Sequence, residues 1–130
     1  MDVYRDLKAA EQSSIVRKFL KKQRWYRGRL ESEKDRPNIK DIKQQQYISG
    51  LQTHVDIMSL AMQDLELIER YVIEQVYYEG IRRNIISEKL GMEIKDINKI
   101  SSKSLKKIRL NLCGMDIGIT NKDKLKKGMF

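Results

Sequence analysis

Proline occurs once in the 130 residues, at Pro37, and glycine seven times, which leaves long stretches that nothing interrupts. Strand formers nowhere alternate with polar residues over a useful length. Apolar residues instead recur at spacings of three and four. The expected fold is therefore all-α: a helical domain with a helix-turn-helix towards its C-terminus and a basic amphipathic helix at its N-terminus.

Residues 2 to about 30 read as one helix with Asp2 as N-cap. Its apolar positions are Val3, Leu7 and Ala10, then Ile15, Val16, Phe19 and Leu20, then Trp25 and Tyr26. Arg17, Lys18, Lys21, Lys22 and Arg24 fall mostly on other sides. Such a helix can lie on a membrane surface, pack on a partner helix or touch nucleic-acid phosphate. The narrow apolar set favours packing, with Trp25 and Tyr26 as packing residues. Glu31 to Asp41 is polar, charged and holds Pro37, so it reads as a linker that ties the first helix loosely to the rest.

Gln44 to Met62 reads as a second helix with a stripe of Ile48, Leu51, Val55, Met58 and Met62. Asp64 is placed to cap a third, running to Tyr78, whose wide apolar face predicts burial on more than one side. Glu66, Glu69, Glu74 and Glu79 fill its remaining, solvated face. Gly80 ends it, Ile81 to Leu90 forms a short helix, and Gly91 is the αL residue of a tight turn. The last helix, Ile94 to Leu110, keeps Ile97, Ile100, Leu105 and Ile108 on one face. The expected divisions are thus 1–30, a packing or oligomerisation arm; 31–43, a linker; 44–112, a helical DNA-binding domain with its helix-turn-helix at 81–110; and 113–130, a basic tail.

Charge narrows the partner. The net charge of +9 is unevenly placed: residues 1–40 carry 12 basic and 6 acidic residues, residues 41–80 carry 2 and 7, and residues 81–130 carry 13 and 5. Two basic ends flanking an acidic middle suit a polyanion. A single cysteine, Cys113, excludes an intrachain disulfide, and with one histidine, His54, there is no metal cluster. His54 reads as a boundary or surface residue. Met1 to Ala10 lacks the apolar core of a signal peptide, and no apolar run approaches the ~18 residues of a membrane span, so a cytoplasmic protein without membrane contact is expected. No phosphate loop, nucleophile pair or metal-spaced carboxylate set suggests an enzyme, and no cofactor is implied.

The remaining chemistry is that of DNA recognition. An anchored helix followed by two shorter ones, set at a steep angle by a glycine, presents the last to a major groove. The base-reading candidates on its exposed positions are Lys95, Asp96, Asn98, Lys99, Ser102 and Lys103. Asn98 is the residue able to contact adenine bidentately. Arg82, Arg83, Asn84, Lys106 and Lys107 are the phosphate candidates.

Tyr77-Tyr78-Glu79-Gly80, Ile86-Ser87-Glu88-Lys89-Leu90-Gly91 and Ser104-Leu105-Lys106-Lys107-Ile108-Arg109 together resemble the region-four helix-turn-helix of bacterial sigma factors. Val16-Arg17-Lys18-Phe19-Leu20-Lys21-Lys22-Gln23-Arg24-Trp25-Tyr26-Arg27 resembles the opening of the ArpU family of phage and prophage late-gene regulators. The resemblance implies a transcription regulator of phage late or packaging genes. It would bind double-stranded DNA in the host cytoplasm as an activator, with host RNA polymerase as a further partner; regulators of this size often form a homodimer to read two half-sites, and the oligomeric state stays open at this level. Glu93 and Ile94 depart from the polar opening usual in such helices, and no arginine stands on the front of the last helix. Two alternatives remain at this level: a small-terminase-like DNA-packaging subunit, and an adaptor that holds RNA polymerase without reading DNA.

Overall fold

The computed structural model describes residues 3–34 and 42–115. The described residues are all-α, without a strand. They form five helices, α1 (Ala9–Lys34), α2 (Ile42–Ala61), α3 (Leu67–Ile73), α4 (Arg83–Leu90) and α5 (Ile94–Cys113), with a 3-10 turn at Val3–Asp6 ahead of α1 and a π-helical turn at Glu74–Tyr78 continuing α3. None is long and apolar enough to cross a membrane.

The first helix is not a loosely tied arm. Ile15, Val16, Phe19, Leu20, Tyr26 and Leu30 recur along one face of α1 and are buried in the same core as Leu51, Met58 and Ala61 of α2 and Leu105, Ile108 and Leu112 of α5. Burying a side chain of this kind is worth about 1.5–3 kcal/mol relative to leaving it exposed, so α1 is a structural wall of the domain. Its start also differs from the reading of one helix from Asp2, which itself lies outside the described residues. Tyr4 and Leu7 are buried ahead of Ala9, and the Tyr4 hydroxyl donates to the Arg109 carbonyl at 3.0 Å. At its other end α1 runs on to Lys34, into the span expected to be linker. Most of that linker, with Pro37, and the tail beyond Met115 lie outside the described residues. Trp25 is 56% exposed, with its ring edge-on to that of the buried Tyr26 at 5.4 Å between centroids. His54 is half-buried, stacked on Tyr26 with ring centroids 4.7 Å apart.

The third helix starts later than Asp64. Its N-cap is Glu66, whose backbone N–H donates to Glu69 Oε1 at 3.0 Å, as in a capping box. Asp64 instead accepts from Asn111 Nδ2 at 2.7 Å. The α-helix gives way at Glu74 to a π turn, in which Glu79 N–H bonds to Glu74 carbonyl at 3.0 Å. Consecutive Tyr77 and Tyr78 are thereby both buried, with the Arg27 guanidinium 4.9 Å above the Tyr78 ring. Burial pushes the Tyr78 hydroxyl pKa up to about 12. The apolar face is narrower than the run of apolar residues suggests, since Leu67 is 88% exposed.

A second, smaller core lies beyond α3. Val72, Ile86 and Ile97 are fully buried in it, packed with Tyr71, Ile81, Leu90, Met92 and Ile100. Val76 touches both cores. Helix α5 belongs to both: Ile97 and Ile100 sit in the small core, Leu105, Ile108 and Leu112 in the large one. Its 20 residues make a rod of about 30 Å, held at its C-terminal half by α1, α2 and α3 and carrying α4 at its N-terminal half.

Candidate nucleic-acid interface

The corner between α4 and α5 is built from backbone geometry and one serine. Gly91 adopts φ 64°, ψ 32°, the left-handed conformation that ends α4, and its N–H returns to the Ser87 carbonyl. The Met92 N–H bonds to the same carbonyl at 3.1 Å, and the Ser87 hydroxyl donates to the Met92 carbonyl. Ser87 thus ties both strands of the turn, a role open to a small hydroxyl residue at this close approach. Ile81 lies outside α4, which begins at Arg83. Ile85 is 40% exposed, while its neighbour Ile86 is fully buried. Gly80 has φ 65° and terminates the π turn, as the sequence suggests.

Five of the α5 candidates share one exposed face. Lys95, Lys99, Ser102, Lys103 and Lys106 follow one another at helical spacing, and all are exposed. Asn98 is exposed at the edge of this face, and Arg83 Nη1 donates to its Oδ1 at 2.7 Å. That bond fixes the carboxamide. Its oxygen keeps a second lone pair and its NH₂ both donors, which is what a bidentate contact to adenine requires. If Asn98 meets a base, Arg83 would position it, besides being a phosphate candidate. Arg82 and Asn84 are exposed on the same end of α4. Asp96 is half-buried and turned towards the side of the helix.

Two side chains are occupied. Lys95 Nζ lies 3.1 Å from Glu93 Oε2, an exposed pair that phosphate can displace. Glu93 is the N-cap of α5, yet its carboxylate makes no capping bond. Lys107 is different in kind, and its assignment to phosphate is corrected. Its Nζ is 2.7 Å from Oε1 of Glu69, which is buried and not on a solvated face. Burial works against the Glu69 charge, but hydrogen bonds from Lys107 and from the Glu66 N–H outweigh it and hold its carboxyl below the usual range. The Lys107 ammonium is raised correspondingly, chiefly by that hydrogen bond. Lys107 faces α3 and anchors α5 to it.

Arg17 and Arg109 lie outside the base-reading and phosphate candidates of the sequence. Arg17 with Ala10 and Ser13 of α1, and Ser102, Lys106 and Arg109 of α5, line one groove where the two helices meet. Arg109 Nη1 donates to Gln12 Oε1 at 3.3 Å, and Gln12 Nε2 donates to the Tyr4 carbonyl at 2.8 Å. The basic side of α1 is therefore continuous with the exposed face of α5. The spacing of these arginines is visible in the chain, but which side of α1 meets α5 is not. Compared with protein-family models, with curated proteins and with solved structures, the chain matches none.

Proposed function

We propose that this protein is a sequence-specific double-stranded-DNA-binding transcription regulator that lays the N-terminal half of α5 in the major groove. The observation that carries the reading is the α4–Gly91–α5 corner on its own small core, with Lys95, Lys99, Ser102, Lys103 and Lys106 on one exposed face of α5 and Asn98 braced by Arg83 at its edge. Lysines neutralise phosphate and orient the duplex; Asn98 supplies the discriminating contact. The half-embedded rod suits this role, because a reading helix gains precision when its far end is fixed in a packed core. The resemblance to the ArpU family and to sigma region four extends the proposal to late-gene activation in a phage or prophage, with host RNA polymerase as a further partner.

The test is selection of bound fragments from a random duplex pool, followed by Asn98→Ala and Lys99→Ala. Loss of Asn98 should relax the preference at one base pair by about 1–3 kcal/mol, the worth of a good bidentate contact. Arg83→Ala should reproduce part of that relaxation. Lys99→Ala should weaken all sequences alike if it meets phosphate, or shift one base position if it reads guanine. An unchanged selected site in both the Asn98 and Lys99 variants would remove α5 as the reading element.

A further inference from the structure

Five of the basic residues of α1 fall into two sets. From Gln12 to Leu30 the chain carries seven basic residues and no acidic one. Arg27 lies over the Tyr78 ring, and Arg29 is held by Tyr47 and Glu33. Arg17, Lys21 and Arg24 are exposed and, among the described residues, engage no carboxylate. These three fall at spacings of four and three, on one stripe of the helix that begins at Ser13 and ends at Gly28.

Two grooves connect the stripe. Arg17 lines the groove shared with Ser102, Lys106 and Arg109 of α5. Lys21, Arg24, Trp25 and Gly28, with Arg29 and Ser32, line a second groove, a shallow and open one on the surface of α1 itself. Arg17 to Arg24 spans about 10 Å of helix rise, the axial length of about three phosphates on one DNA strand. Gly28 adds an independent observation. A glycine inside a helix costs about 1 kcal/mol relative to alanine, and a Cβ at this position would meet nothing within 4 Å. Among the described residues, no contact requires the glycine. In the groove it leaves a flat floor over which a sugar-phosphate chain can pass close to the backbone.

We infer that Arg17, Lys21, Arg24 and Gly28 of α1 form a track for the backbone of the duplex flanking the site read by α5. This rests on the DNA-binding reading above and extends it. The track adds affinity and sets how much flanking DNA is needed; it reads no base.

Three measurements on the full chain test it with duplexes that share the selected site and differ in flank length. The variant Arg17→Gln/Lys21→Gln/Arg24→Gln should lower the slope of log affinity against log salt by about 2–3, at ~0.9 for each phosphate no longer neutralised, with the selected sequence unchanged. Gly28→Leu keeps every charge and blocks the floor; it should weaken binding to the long duplex towards that of the short one while leaving or raising thermal stability. Trp25, the one tryptophan of the chain and a wall of the second groove, should change its emission on binding the long duplex and not the short one. An unaltered salt slope in the triple variant, or identical Trp25 emission with both duplexes, overturns the track while DNA binding stands. If the unaltered protein is retained on no duplex at low salt, the DNA reading falls and the track with it.

Discussion

Gly91 carries the corner between α4 and α5 at φ 64°, and a Cβ there would meet no atom within 4 Å. The cost of replacing it is therefore backbone strain alone. Gly91→Ala should destabilise the fold by about 1–2 kcal/mol in denaturant unfolding, and Gly91→Asn, which tolerates the left-handed region, by less. Steric rules for single residues made this glycine and Gly80 legible in the sequence. The Glu69–Lys107 pair was not legible, because the partners are far apart in the chain and each looks like a surface charge. Glu69 has a lowered pKa in the fold. Its contribution is complete above the ordinary glutamate value of about 4.3 and is lost as pH falls through the lowered folded value. Glu69→Gln should make stability less dependent on pH below that point, as read by urea unfolding across the acid range, while lowering stability at neutral pH.

At the scale of elements, α5 is one helix with two duties. Ile97 and Ile100 hold the small core; Leu105, Ile108 and Leu112 hold the large one. The helical spacing of Ile97, Ile100, Leu105 and Ile108 announced a buried face, but periodicity does not say that two different cores share it. Ile86 is the only fully buried side chain of α4. Ile86→Ala should cost about 2–5 kcal/mol of local or global stability. Hydrogen exchange should show the α4 amides opening first, while those of α1 and α2 stay protected. Equal loss of protection throughout would mean that the two cores unfold as one unit. The π turn is the element least readable from the chain. Tyr77 and Tyr78 are adjacent, and in an α-helix neighbours point about 100° apart; burial of both is settled by the partners on either side, including Arg27 of α1.

For the whole molecule, the decisive fact is that the first and last described segments meet. Tyr4 bonds to the Arg109 carbonyl, Arg5 Nη2 lies 3.3 Å from the Met115 carbonyl, and α1 packs against α2, α5 and the π turn. A chain shortened to begin at residue 42 should accordingly not leave a folded helix-turn-helix. Its circular dichroism should show a large loss of helix and of cooperative melting; a sharply melting product would return α1 to the role of a separable arm. The helical class, the glycine corner and the exposed lysine face of α5 follow from the sequence alone, because periodicity, left-handed backbone and charge are properties of local stretches. Which side of α1 turns inward, the burial of Glu69 against Lys107, and the alignment of Arg17, Lys21 and Arg24 with α5 depend on contacts between residues distant in the chain. Those contacts are chosen by how apolar faces close on one another, so only the tertiary structure decides them.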